Sequence, residues 1–356
     1  METGPNWRSL LLLLSLSAFF AFLSPGDGGM LRAVLSTAEA AEASFPAGQE
    51  LDVYVDGKLL ASPGFGAADG TRHYAAAAEF LDALDKDFWA GERLACDPIP
   101  RAGRDYLCIE DFCAAHGISL YREDGEPRLW CSSAAGEWQV PAGYSVPVLM
   151  YHGVGDDLRH GAELAVSTEA LDGQLALLRE RGYTPIWFED LKHLDRIEKP
   201  ILLTFDDGYL DNYTELFPLL QKYRMKATLF IVSGYLDNPH NLNRQQLLEM
   251  QASGLVSIQC HSRYHPDLDT LDREQQVEEL CWSKVELLKL TNREPYVIAY
   301  PRGRQNEETL EICRGDYRFG VKMGGPVYVT GDDPLLIHRI GIYRSTTPEE
   351  FAARFP

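Results

Sequence analysis

Four side chains have the types and spacing for metal-assisted chemistry. Asp206 and Asp207 stand side by side at the end of the apolar run Ile201-Leu202-Leu203-Thr204-Phe205, and Gly208 follows them. Adjacent carboxylates raise one another's pKa unless a positive charge sits between them. Alone, the segment also reads as a strand ending in an Asp-Gly turn. Further along, His261-Ser262-Arg263-Tyr264-His265 spaces two imidazoles at i and i+4. On one helical turn they share a face and can ligate one metal ion. Two histidines, one carboxylate and a water make a site with an open position, as catalytic zinc requires. One aspartate then binds the cation and the other stays free as a base.

The elements around these residues alternate. The periodicity predicts helices from Ser167 to Arg181, Phe188 to Leu194, Tyr213 to Tyr223, Asn243 to Ser253 and Leu271 to Leu290. Between them it predicts strands at Val146–Val154, Tyr183–Trp187, Pro200–Phe205, Ala227–Val232, Val256–Cys260 and Tyr296–Tyr300. Such alternation predicts parallel strands covered by helices, and roughly 210 residues make a barrel smaller than the eightfold one. Asp206, Asp207, His261, Pro301 and Arg302 fall at predicted strand ends, where the chemistry of such folds collects.

The chain has 356 residues, 45% hydrophobic and 24% charged, which is ordinary for a globular protein with a large core. Its net charge of -20 argues against nucleic-acid binding, which needs a basic footprint. Arg8 and the apolar run Leu10 to Leu23 read as an export signal, cleaved or kept as a membrane anchor. The expected organisation is a signal or anchor with linker over 1–44, a small α+β domain over 45–135, a linker over 136–145 and the main domain over 146–356. Within the small domain Arg72, Tyr74, Phe80 and Ala83 recur as Arg104, Tyr106, Phe112 and Ala115. Each copy reads as a short strand entering a helix. Seven cysteines lack zinc-ribbon spacing; Cys96, Cys108, Cys113 and Cys131 could form disulfides after export, whereas Cys260, Cys281 and Cys313 read as buried thiols.

Thr204-Phe205-Asp206-Asp207-Gly208 and His261-Ser262-x-x-His265 resemble the first two motifs of the polysaccharide deacetylases, the NodB-homology domain of carbohydrate esterase family four. The resemblance covers about Val146 to Phe355. It implies an α/β fold, a distorted (β/α) barrel of about seven strands, and hydrolysis of N-acetyl groups on N-acetylglucosamine units. Carried over, Asp206 is the catalytic base, and Asp207, His261 and His265 are the metal ligands. The third motif falls at Ala299-Tyr300-Pro301-Arg302-Gly303, which gives the Arg302 backbone N–H the role of oxyanion donor. The family's arginine that steadies the base would fall at Ala299; Arg302 and Arg304 are candidates to replace it. Two histidines compete as general acid: His152, in Met150-Tyr151-His152, resembles the Met-Tyr-His branch and is favoured over the later His338. The fourth motif has no convincing match; Asp316-Tyr317 lies in its region. The small domain resembles the copper amine oxidase N-terminal-like module, with no reason to expect copper at His73 or His116.

These readings imply a divalent metal, Zn2+ first, with Co2+, Ni2+ or Mn2+ as alternatives. They also imply an N-acetylglucosamine-containing polysaccharide as partner and an extracytoplasmic location, secreted or anchored at the envelope. Three rivals stand beside the deacetylase: a catalytically silent carbohydrate-binding protein, a metal-dependent hydrolase of another amide or an ester, and a scaffold whose first domain carries the main role by binding the cell wall. Sequence leaves the polymer and the oligomeric state open.

Overall fold

The computed structural model describes residues 50–355, apart from 56–57, 63, 67–71, 85–98, 102–103, 117–118, 123–127, 133–138, 157–160 and 162. The proposed export signal and Cys96 lie outside the described residues.

Eight parallel strands build the sheet that carries the predicted chemistry: β1 (Val148–Tyr151), β2 (Thr184–Ile186), β3 (Pro200–Phe205), β4 (Ala227–Ile231), β5 (Val256–Cys260), β6 (Val297–Ala299), β7 (Phe319–Met323) and β8 (Ile337–Gly341). The order is β1-β8-β7-β6-β5-β4-β3-β2, and β1 also pairs with β3. That last pairing closes a ring of seven strands, with β2 lying along the first half of β3 beside Pro200, Ile201 and Leu202. The expected (β/α) barrel of about seven strands is therefore present. Among the described helices, α1 (Thr168–Glu180), α2 (Phe217–Tyr223), α3 (Arg244–Ala252), α4 (Arg273–Thr291), α5 (Glu307–Asp316) and α6 (Pro348–Arg354) belong to this region. Side-chain N-caps start several of them: Ser167 on α1, Asn243 on α3, Asp272 on α4, Asn306 on α5 and Thr347 on α6.

Strand alternation sorts the core into two layers. Ile201, Leu203 and Phe205 of β3 pack in one cluster with helix residues such as Leu171, Leu175 and Leu247. Leu202 packs in a second cluster with Val148, Phe230, Val297, Phe319 and Ile337, all from barrel strands. Side chains two residues apart share a face of a strand, so Leu202, Thr204 and Asp206 follow one another up the interior. The same period puts Val148, Met150 and His152 on the interior side of β1, and Ile337 and Arg339 on that of β8. The barrel is thus filled with apolar side chains below and polar ones at the C-terminal end of its strands.

A separate sheet includes the pairs His73–Ala76 with Arg104–Cys108 and Ser119–Arg122 with Arg128–Ser132, both antiparallel. The internal repeat has a physical counterpart. The two repeat strands pair with each other, each enters a helix, and Phe80 meets Phe112 edge to face at 5.5 Å. Cys108 and Cys113 are free thiols, so neither takes part in an expected disulfide. Buried in an apolar cluster, Cys113 and Cys131 act as small hydrophobes. No described helix is long and apolar enough to cross a membrane.

Candidate active site

The interior of β3 ends on Asp206, which is 2% exposed. Its backbone N–H donates to the Tyr151 carbonyl of β1 (3.0 Å), which extends the strand pairing to the carboxylate itself. A buried carboxylate needs a partner, and the partner is Arg339. The guanidinium donates from Nη1 to Oδ1 (2.6 Å) and from Nη2 to Oδ2 (2.7 Å), a fork-on-carboxylate pair. Nη1 also donates to the Thr204 hydroxyl (3.1 Å), and Cζ stands 5.5 Å from the Phe230 ring centre. Arg339 is itself fully buried. Burial works to raise the Asp206 carboxyl, but Arg339, with His261 and His152, holds it below the ordinary carboxylate range.

Chain direction changes directly after Asp206. Asp207 has φ +72° and Gly208 φ +66°, two successive left-handed residues. For a non-glycine residue that conformation is uncommon and marks strain at a site. It separates the two carboxylates: Asp206 faces Arg339 and Asp207 faces the histidines. Asp207 Oδ1 lies 3.4 Å from His261 Nε2 and 3.5 Å from His265 Nε2. These separations are long for hydrogen bonds. They match the edge of a tetrahedron whose ligands stand at about 2.0–2.1 Å from a shared ion, an edge of about 3.4 Å. The ligand atoms of Asp207, His261 and His265 all lie within 4.8 Å of one another. His261 uses Nδ1 to donate to the Ala299 carbonyl (2.7 Å), which leaves the Nε2 lone pair facing Asp207. Two imidazole nitrogens and one carboxylate oxygen thus fit a divalent cation.

The histidine pair does not sit on a helical turn, contrary to the sequence expectation. Residues 261–266 form an irregular turn in which Ser262 (φ +61°) and His265 (φ +60°) are both left-handed. The turn is tied from three sides. The Ser262 hydroxyl accepts from the His265 N–H (2.9 Å). Glu279 Oε2, on α4, accepts from the Arg263 and Tyr264 N–H groups (2.9 and 2.8 Å). The Ser262 carbonyl accepts from the Ser233 N–H (3.3 Å). Burial, with the neighbouring His261, pushes the His265 imidazole down to about 4. In the opposite direction, Asp206 and Asp207 raise His261 against its burial.

His152 follows β1 and is 9% exposed, with Nε2 3.9 Å from Asp206 Oδ2. Asn212, fully buried, donates to the His152 carbonyl (3.1 Å). Burial lowers the His152 pKa, and Asp206 and Asp207 work against it. His338 lies one residue from Arg339 on β8 and so takes the other face; its Nδ1 meets the Gly324 carbonyl at 2.6 Å. Arg302 sits in the turn Pro301–Gly303 after β6, with φ +53°. Its side chain binds Asp267 (2.6 Å), and Arg304 binds Asp269 (2.9 Å). Neither arginine steadies Asp206, so both sequence candidates for that task are replaced by Arg339. The Asp267 and Asp269 carboxylates both come from the loop that follows β5, and they neutralise the two arginines of the loop that follows β6. The fourth-motif candidate is a structural group: Tyr317 is buried and donates to the Leu280 carbonyl (2.8 Å).

Arg339 and Glu279 escaped the sequence reading. For Arg339 a signal existed: in Leu336-Ile337-His338-Arg339-Ile340 a strand-like alternation places an arginine on the apolar face. Glu279 had none, since it acts through backbone contacts across a loop.

The polysaccharide deacetylase family model matches residues 193–316. The Bacillus subtilis protein YxkH, which carries a provisional polysaccharide deacetylase name, is 32% identical over 242 residues, covering 66% of this chain and 82% of its own length. The Escherichia coli poly-β-1,6-N-acetyl-D-glucosamine N-deacetylase is 32% identical over 134 residues, which span 32% of this chain and 20% of that much longer protein. Among solved structures, the Streptococcus pyogenes deacetylase PplD with acetate superposes with a TM-score of 0.56 at 32% identity, over 60% of this chain and 99% of its own. A polysaccharide deacetylase from Bacillus cereus gives a TM-score of 0.57 at 28% identity, over 73% and 84%. Barrel, strand-end carboxylates and sequence relationship agree, and the chain belongs to the polysaccharide deacetylase family.

Proposed function

We propose that the protein removes N-acetyl groups from N-acetylglucosamine units of an extracytoplasmic polysaccharide by metal-dependent hydrolysis. The observation that carries the metal dependence is the spacing of Asp207 Oδ1 from two imidazole Nε2 atoms, 3.4 and 3.5 Å. The substrate class is supported by the Escherichia coli relative, a poly-β-1,6-N-acetyl-D-glucosamine N-deacetylase. The apolar run Leu10 to Leu23 supports export.

Asp207, His261 and His265 would hold the cation. The donor set favours Zn2+, and Co2+, Ni2+ or Mn2+ can replace it. What a cation supplies there is polarisation of the acetamide carbonyl and acidification of water. Asp206 takes the proton from the attacking water. Arg339 keeps that carboxylate ionised and aimed by gripping both of its oxygens. The Arg302 backbone N–H donates to the oxyanion of the tetrahedral intermediate. Protonated His152 gives its proton to the departing nitrogen as the C–N bond breaks. Acetate and a free glucosamine amine result. The two carboxylates do different work because their surroundings differ: one faces a guanidinium, the other two imidazoles.

The test is acetate release from β-1,6-linked poly-N-acetylglucosamine, peptidoglycan and chitin oligomers, with and without a chelator. Release from at least one polymer, abolished by chelation and restored by Zn2+, is the expected result. Acetate release that survives complete metal removal contradicts the mechanism. Sugar binding with no release favours the silent carbohydrate-binding rival.

A further inference from the structure

We propose that Tyr264 and Tyr235 form a stacking subsite for a pyranose ring of the polymer, beside the unit that reacts. The inference rests on the deacetylase reading and extends it to how a chain of sugars is held.

Tyr264 lies between the two candidate metal ligands of the turn and directly precedes His265. It is nevertheless 49% exposed, and Tyr235, in the turn after β4, is 37% exposed. The two belong to one construction. The Tyr235 hydroxyl donates to the Tyr264 carbonyl (3.1 Å). The Gly234 N–H donates to the Arg263 carbonyl (2.9 Å), so the β4 and β5 loops stay laced beyond the strands. The Tyr264 ring rests against Gly234, where a Cβ would lie 2.3 Å from its Cε1. Arg263 stands 5.0 Å from the ring centre and is itself held by Glu278 and Glu286, at 3.1 Å each. Glu279 fixes the Tyr264 backbone N–H.

Here a glycine, a cation and a buried carboxylate hold a ring in place while half of it faces solvent, next to the site. Such a surface is preorganised and loses little entropy on binding. A pyranose presents an apolar face of C–H groups with hydroxyls at its rim. An aromatic ring with a polar tip matches that chemistry.

The test compares the full-length protein with Tyr264→Ala, Tyr264→Phe and Tyr235→Ala. The substrates are a β-1,6-linked N-acetylglucosamine pentamer and N-acetylglucosamine itself, and zinc content is measured for each preparation. The expected result is that Tyr264→Ala loses about tenfold of the pentamer-over-monomer preference in kcat/KM, through KM, while Tyr264→Phe keeps it. Tyr235→Ala is expected to lose a smaller part. An unaltered preference in Tyr264→Ala overturns the proposal, as does an equal fall on both substrates with loss of zinc, which marks Tyr264 as a support for the metal turn. If the wild-type protein releases no acetate, the deacetylase reading has failed. Calorimetric binding of the pentamer then decides the subsite: weaker binding by Tyr264→Ala supports it, and equal or absent binding overturns it.

Discussion

Asp206 stays ionised although its residue is only 2% exposed, and Arg339 is the reason. The pair is bidentate and both members are buried. Removing one partner of such a pair leaves an uncompensated charge, which typically costs about 3–5 kcal/mol. Lysine keeps the charge but not the fork. Arg339→Lys is therefore expected to lower kcat on the order of 10²-fold while zinc stoichiometry stays at the wild-type value; steady-state kinetics and metal analysis of the same preparation check this. The pair also gives stability a pH dependence. The folded Asp206 pKa is lowered, so its contribution is fully present above the unfolded carboxyl value of about 3.9 and is lost as pH falls through the lower folded value. Arg339→Met with Asp206→Asn, which removes both charges, should flatten that acid limb in urea titrations at successive pH values. The strand-end carboxylates and both histidines were legible in sequence because their spacing is local. The pairing of Arg339 with Asp206 was not, because the two are far apart along the chain and meet only through barrel closure.

At the scale of elements, strand alternation decides which side chains reach the site. Leu202, Thr204 and Asp206 share one face of β3, as Ile337 and Arg339 share one face of β8. The strands Pro200–Phe205 and Val256–Cys260 match their predicted limits: the first is a largely apolar run between Lys199 and Asp206, and the second alternates apolar and polar residues up to His261. The i, i+4 spacing of the histidines suits a helical turn, but spacing does not report φ. Two left-handed residues bring His261 and His265 together instead. Such a turn depends on its anchors. Glu279→Ala removes the acceptor for two backbone N–H groups and is expected to weaken zinc binding about 10–100-fold. A competition titration against a fluorescent chelator measures it, and unchanged affinity would show that the turn holds its shape without α4.

At the scale of the whole molecule, closure makes neighbours of distant segments: β8 pairs with β1, and β1 with β3. His152, Asp206 and Arg339 come from these three strands or their ends. The Streptococcus pyogenes deacetylase is matched over 99% of its length by 60% of this chain. A fragment of residues 139–356 is accordingly expected to unfold cooperatively and to keep acetate release; loss of both would show that the smaller sheet supports the barrel. The central claim is the division of labour between adjacent carboxylates in this molecule. Acetate release and zinc content, measured side by side in Asp206→Asn and Asp207→Asn, test it most directly. Asp206→Asn is expected to retain zinc while losing at least about 10³-fold in kcat, and Asp207→Asn to lose the zinc itself. Near-normal turnover by Asp206→Asn, or full zinc content in Asp207→Asn, would contradict it.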